Sequence, residues 1–211
     1  MTHVAIVDYG MGNLHSVAKA IEHVAPHVDV RISADANIIR SADKVVFPGQ
    51  GAMPDCMREL EQKGLRDVII EAAHTKPFLG LCIGLQMLFE ASEEGNVPGL
   101  GILPGKVVRF AATADSVWPQ QLKIPHMGWN QVAQRSGHPM WKDIPQDTRF
   151  YFVHSYYVQT QDAALVAGTT DYPSPFTSAC SRDNIFAVQF HPEKSQTAGL
   201  TLLRNFIEWN G

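Results

Sequence analysis

Cysteine is scarce: Cys56, Cys82 and Cys180 are the only three in 211 residues, widely spaced and without a CxxC pair. An odd, scattered set argues against a disulfide framework and offers no zinc-knuckle spacing. Excess positive charge is missing too. A net charge of −4 leaves no electrostatic footprint for nucleic acid or for an anionic membrane surface. The most apolar stretch, residues 78–89, is too short to span a bilayer and contains Gln86. The start, "MTHVAIVDYG", lacks the basic residues and long apolar core of a signal peptide, so a soluble, cytoplasmic chain is expected. Repeats, low-complexity tracts and linkers are also lacking. What remains is ordinary globular composition, 45% hydrophobic and 18% charged, in a length that one sizeable domain accommodates.

The first half of the chain alternates two patterns. Residues 2–8 read as a strand, and residues 13–24 place Leu14, Val17, Ala18, Ile21 and Val24 at helical spacing. A short strand over 28–32 and a buried strand over 43–49, ending in Pro-Gly, come next. Helical stretches are expected over 55–63 and 65–74, and after Pro77 the strand "PFLGL" runs into a helix through "IGLQMLFEAS". From about residue 100 the pattern becomes β-rich: "KVVRF", "HMGWNQVAQ", "RFYFVHSYYVQ", "LVAGTT" and a hairpin "FTSACSRDNIFAVQF" turning at 182–184. A closing helix is expected from Ser195, its N-cap, to Trp209. Short continuous apolar strands separated by amphipathic helices predict one α/β domain over 1–211. Its central sheet is mostly parallel and flanked by helices, with a β-rich C-terminal half.

"PFLGLCIGLQMLFE" (77–90) sets Cys82 between Gly80 and Gly84 where a strand turns into a helix. Small residues on either side of such a turn let strand and helix approach closely. GxCxG has the spacing of the nucleophile elbow, whose central side chain projects above the carboxyl edge of a sheet. A cysteine there meets unpaired helix N–H groups that favour thiolate, and the Ile83 N–H is aimed at an oxygen developing on an attacked carbonyl. The plainer reading is a small apolar cysteine with glycines for packing.

A cysteine nucleophile needs a base, and the base an orienting group. Among nine histidines, "QFHPEKS" (189–195) answers best. His191 and Glu193 are two apart across Pro192, and side chains at i and i+2 of an extended segment point the same way, so the carboxylate can hold one imidazole tautomer. His154 is the main rival base and His126 another, but neither has an acidic neighbour in sequence. His23 and His27 share i,i+4 spacing, which Pro26 disrupts, so they read as surface residues rather than metal ligands. "FPGQGAM" (47–53) follows a buried strand with glycines whose N–H groups can converge on an anion, although alone it is also just a turn. "YGMGN" (9–13) has His15 where GxGxxG needs its last glycine, and carries no dinucleotide site.

"PGQGA", "GLCIGLQ" and "HPE", in that order over most of the chain, resemble the class I, triad-type glutamine amidotransferases. "IPHMGWN" (124–130), "FYFVHSYY" (150–157) and "VQFHPEKS" (188–195) narrow the likeness to the glutaminase subunits of imidazole glycerol phosphate synthases, in the histidine pathway. That resemblance implies Cys82 as nucleophile, His191 as general base and then acid, and Glu193 as its orienter. It implies an oxyanion hole from Gly49, Gln50 and Gly51 with the Ile83 N–H, and a glutamine site at Gln86 and the backbone of Ser155 and Tyr156. Gln50 stands where the family often carries an apolar residue. The implied partner is a (β/α)₈ barrel cyclase subunit in a heterodimer, with Asn13, Trp129, Tyr151 and Lys194 near the interface; no cofactor and no metal are implied. Other readings are a glutaminase serving another synthase, such as anthranilate synthase, which "IPHMGWN" opposes, and a noncatalytic interaction subunit, which the complete Cys, His and Glu set opposes.

Overall fold

The computed structural model describes residues 1–110, 123–135 and 137–211. Its first half runs β1 (His3–Val7), α1 (Leu14–Val24), β2 (Asp29–Ser33), α2 (Ala36–Ser41), β3 (Lys44–Gly49), α3 (Met53–Gln62), α4 (Arg66–Thr75) and β4 (Phe78–Cys82). The chain continues through α5 (Ile83–Gln86), β5 (Phe89–Ser92), β6 (Val97–Pro98), β7 (Leu103–Arg109), β8 (His126–Gln134), β9 (Thr148–His154) and β10 (Tyr156–Gln159). It closes with β11 (Val166–Asp171), β12 (Pro175–Arg182), β13 (Ile185–Val188) and α6 (Gln196–Glu208). A single sheet runs β2-β1-β3-β4-β13-β12-β10-β7-β5-β6, with β11, β8 and β9 attached beside β12. Strands β2, β1, β3, β4 and β13 are parallel, and from β12 onward the pairing is antiparallel apart from β5 with β7.

Alternation along the parallel strands divides the core into two layers. Ala5 and Val7 of β1, Val45 and Phe47 of β3, and Phe78 and Cys82 of β4 face Ile39 of α2 and the buried stripes Met53, Cys56, Met57, Leu60 of α3 and Val68, Ile69, Ala72, Ala73 of α4. Val4, Ile6, Val46, Leu79 and Leu81 face the other way, onto Val17, Ala18 and Ile21 of α1 and Leu202, Leu203, Phe206 of α6. Because both faces are covered, β3, β4 and β13 are buried at every position. Strand β9, by contrast, alternates buried and half-buried residues over most of its length.

The order of strands matters most for the site. Strand β13 comes more than a hundred residues after β4, yet pairs parallel with it, Val188 opposite Leu81. Residues just past the ends of these two strands are therefore neighbours, at the carboxyl edge where ligands of open parallel sheets bind.

Two expectations need correcting. The helix after Cys82 stops at Gln86 instead of running to residue 92. The Leu88 carbonyl accepts from the Ile102 and Leu103 N–H groups at 2.9 Å each, which draws Phe89–Ser92 into a strand beside β7; pairing overrides the helical look of "MLFEAS". Ser195 stands at the N-cap of α6, but its hydroxyl donates to the His191 carbonyl at 2.7 Å and accepts the Tyr151 N–H at 3.0 Å, leaving the helix uncapped by it. "RFYFVHSYYVQ" is β-rich as expected, in two strands that meet at Ser155. The short helix α2, capped by Asp35, was not anticipated.

Candidate active site

Strand β4 ends at Cys82 with φ 55° and ψ −111°, a left-handed backbone that an L-residue adopts only when its surroundings enforce it. Neighbouring backbones supply that enforcement. A Cβ on Gly84 would lie 1.9 Å from the Phe47 carbonyl oxygen, so only glycine lets α5 pass this close to β3. Gly80 is less constrained, since a Cβ there would come no nearer than 3.0 Å, to Ala187 Cβ. Gly49 pairs with Cys82 across β3 and β4 and packs against Ile83 and Gly84.

His191 follows β13 and is held by its backbone, whose N–H donates to the Tyr151 carbonyl at 2.9 Å. Its Nδ1–H donates to Glu193 Oε1 at 2.9 Å, and both side chains are almost wholly buried. Nε2 of His191 has no conventional hydrogen bond and is left for the Cys82 sulfur. Burial pulls the imidazole toward neutrality, but charge attraction and a loose hydrogen-bonding contact with Cys82, joined by Glu193, push its pKa up to about 10. The arrangement can therefore hold a proton on His191 opposite a cysteine sulfur, poised for transfer.

A cavity of about 320 Å³ opens over Cys82 and His191, the size of a small-ligand site. Gln50, Gly51, Ile83, Gln86, Ser155 and Tyr156 line it, so the structure brings together every residue expected at the oxyanion hole and substrate site except Gly49, which lies just behind Ile83. The Gln50 carbonyl accepts from the Cys56 thiol at 3.5 Å. Gln86 Nε2 donates to the Tyr156 carbonyl at 3.1 Å and to Gln189 Oε1 at 3.0 Å, which leaves Gln86 Oε1 buried and unpaired. Such an orphan acceptor in a cavity wall suits a ligand donor.

Four residues of the wall were not assigned to it from sequence: Glu94, Pro125, Val153 and His154. Gln189 was missed as well. It is fully buried, and its Nε2 donates to Cys82 Sγ at 3.7 Å while its Oε1 orients Gln86. A polar residue inside the apolar run "AVQF" was the only available signal. His154, weighed as a rival base, faces the cavity but bonds to His126.

The residues expected near a partner interface also cluster. Trp129 and Tyr151 are opposite each other across β8 and β9, with ring centroids 6.2 Å apart, and Trp129 is 44% exposed. Lys194 lies in the turn after His191, on which α1 packs behind its N-cap Asn13. Met127, 62% exposed, extends the apolar surface beside Trp129. Among the described residues no cluster of three or more His, Cys, Asp or Glu is placed to hold a metal, and no helix is long and apolar enough to cross a membrane.

A strained cysteine above a parallel sheet, facing a histidine backed by a glutamate, is the constellation expected of class I glutamine amidotransferases. The chain belongs to that family: the model for glutamine amidotransferase class-I matches residues 5–209. Within it, the chain falls among the imidazole glycerol phosphate synthase subunit HisH proteins, being 66% identical over 210 residues to the one from Aromatoleum aromaticum and 62% over 211 residues to that of Nitrosomonas europaea, with 99% of each chain covered. Solved structures share the fold at low identity: PurLQS from Thermotoga maritima (TM-score 0.73, 15% identity, 98% of both chains) and the glutaminase domain of Trypanosoma brucei CTPS with bound acivicin (TM-score 0.67, 17% identity, 99% of this chain and 94% of that one).

Proposed function

We propose that the chain is the glutaminase subunit of an imidazole glycerol phosphate synthase. It hydrolyses glutamine and passes the ammonia to a (β/α)₈ barrel cyclase subunit, which forms imidazole glycerol phosphate and AICAR. The observation that carries the chemistry is the Cys82, His191 and Glu193 arrangement under the cavity. The Cys82 thiolate attacks the side-chain amide carbon of glutamine, forming a C–S bond and an oxyanion stabilised by the Ile83 N–H and the Gly49–Gly51 segment. Collapse breaks the C–N bond as His191 gives its proton to the leaving nitrogen, releasing ammonia and a γ-glutamyl thioester. Water then attacks the thioester with His191 taking its proton, and glutamate leaves as the thiolate re-forms. Glu193 keeps the proton-bearing Nδ1 turned away, so that Nε2 is the exchanging atom. Gln86 Oε1 and the Glu94 carboxylate offer acceptors for the ammonium group of the amino acid. The surface carrying Met127, Trp129, Tyr151, Lys194 and Asn13 is the docking face for the cyclase.

The test is to mix the chain with the cyclase subunit and measure glutamate release with and without the nucleotide substrate. Substantial release in the complex and little from the isolated chain are expected, because the Gln50 loop carries the oxyanion donors and the partner controls it. Rapid turnover by the isolated chain would contradict that control, and no release in the complex would refute the glutaminase reading. The HisH relatives lead away from a glutaminase of another synthase.

A further inference from the structure

A second buried group of titratable side chains takes no part in the chemistry above. His126 and His154 are opposite each other across β8 and β9, only 3% and 6% exposed. Every ring nitrogen has a partner: His154 Nδ1 is 2.8 Å from the Tyr156 carbonyl, His154 Nε2 is 2.9 Å from His126 Nδ1, and His126 Nε2 is 3.2 Å from Asn130 Nδ2. A carbonyl only accepts, so His154 carries its proton on Nδ1 and offers a lone pair at Nε2. His126 must then donate from Nδ1 and accept from the Asn130 amide at Nε2. Asn130 is itself anchored by donating to the Asp171 carbonyl at 2.9 Å. One tautomer per ring satisfies the whole series. Burial pulls His126 down to about 4 and His154, with smaller contributions from the other histidines, to about 3, so both rings are neutral at physiological pH.

The series ends in the cavity wall. The Tyr156 carbonyl that receives the His154 proton also accepts from Gln86, which bonds Gln189, which reaches Cys82. We propose that His126 is a positioning residue for glutamine: its Nδ1–H, donated to His154 Nε2, holds the His154 ring in the orientation from which Nδ1–H pins the Tyr156 carbonyl, and thereby the Ser155–Tyr156 backbone and Gln86. Without that donor His154 keeps its Nδ1–H tautomer but loses the contact that fixes the tilt of its ring, and the wall loosens. This inference rests on reading the cavity as a glutamine site.

The experiment uses the complex with the cyclase. His126→Leu keeps bulk and removes the donor, whereas His126→Asn keeps an N–H near the Nδ1 position. His126→Leu is expected to raise KM for glutamine about tenfold with kcat within about twofold, the size of one lost hydrogen bond in the wall. His126→Asn should restore most of the affinity, and ammonia-dependent synthesis should be the same in all three proteins. In ¹⁵N imidazole spectra His154 should be the Nδ1–H tautomer in all three proteins, with its Nε2 resonance moved downfield in His126→Leu, where that lone pair loses its donor, and close to wild type in His126→Asn. An Nε2–H tautomer in wild type, an unchanged KM in His126→Leu, or equal impairment in both variants would overturn the proposal. Absence of glutamine hydrolysis in the wild-type complex would instead remove the glutaminase reading and this inference with it.

Discussion

Two buried histidine environments meet at one cavity, which His191 and His154 both line, and they differ in charge. His191 leaves the parallel half of the sheet with a carboxylate two residues on and a cysteine sulfur across from it. His126 and His154 sit in the antiparallel half, facing each other, an amide, and the rings of Phe110, Phe152 and Phe176. Burial disfavours charge in both places. At His191 the attraction of Cys82 and Glu193 outweighs it, while among aromatic rings it prevails. On the proposed reading the same side chain is a proton carrier in one place and a fixed hydrogen-bonding strut in the other, and neighbours decide which.

The largest disruption of this contrast is to remove the sulfur. Cys82→Ala should reduce glutamine-dependent synthesis in the complex by on the order of 10⁴-fold or more while sparing synthesis from added ammonia. Loss of both activities together would mean that assembly, not chemistry, had been damaged. Next comes Glu193→Gln, which makes the His191 wall resemble the other by taking away its carboxylate. Glutamine turnover should fall by roughly 10³-fold, and NMR titration should find the His191 pKa moved down toward 6.5. An unmoved value would assign the elevation to Cys82 alone.

The two halves also use glycine differently. In the parallel half Gly84 is required by crowding, with the Phe47 carbonyl in the place of any Cβ. On β8 the Gly128 position is open, and only its backbone, at φ +134°, disfavours a side chain. Gly84→Ala should therefore destabilise by about 3 kcal/mol, and Gly128→Ala by about 1 kcal/mol, in denaturant unfolding. Equal losses would show that the elbow relaxes more readily than its packing suggests.

Legibility follows the same division. The parallel strands announce themselves as continuous apolar runs because both faces are covered, and the elbow and "HPE" are local patterns that a short window displays. The pairing of β13 with β4, which makes Cys82 and His191 neighbours, is not in any window; only the order of the motifs in the resemblance hinted at it. The histidine pair was less visible still. His126 and His154 are 28 residues apart, and the search for a carboxylate beside each passed over a partner supplied by cross-strand register. Gln189 escaped because one polar residue in an apolar strand has no spacing to read, and α5 looked longer than it is because Met87, Leu88 and Phe89 are buried by strand pairing rather than by a helix face.

The smallest effect is on stability against pH, and it separates the walls cleanly. His126 and His154 have folded values of about 4 and about 3, below the ordinary 6.5, so under pH 6.5 the unfolded chain binds protons that the folded chain refuses. Stability is lost as pH falls from 6.5 toward 4. His191, raised to about 10, acts on the other side: its contribution is complete below pH 6.5 and is lost as pH rises toward 10. His126→Asn removes one of the two refused protons. Its unfolding free energy between pH 6.5 and 4.5 should therefore fall less steeply than that of wild type, by about 1 kcal/mol per pH unit, while the curves run parallel between pH 7 and 9.5. Glu193→Gln should do the reverse, flattening only the alkaline side. If His126→Asn kept the wild-type acid slope, His126 would have to accept a proton inside the fold as readily as outside it, and the neutral strut would be no different in kind from the catalytic wall.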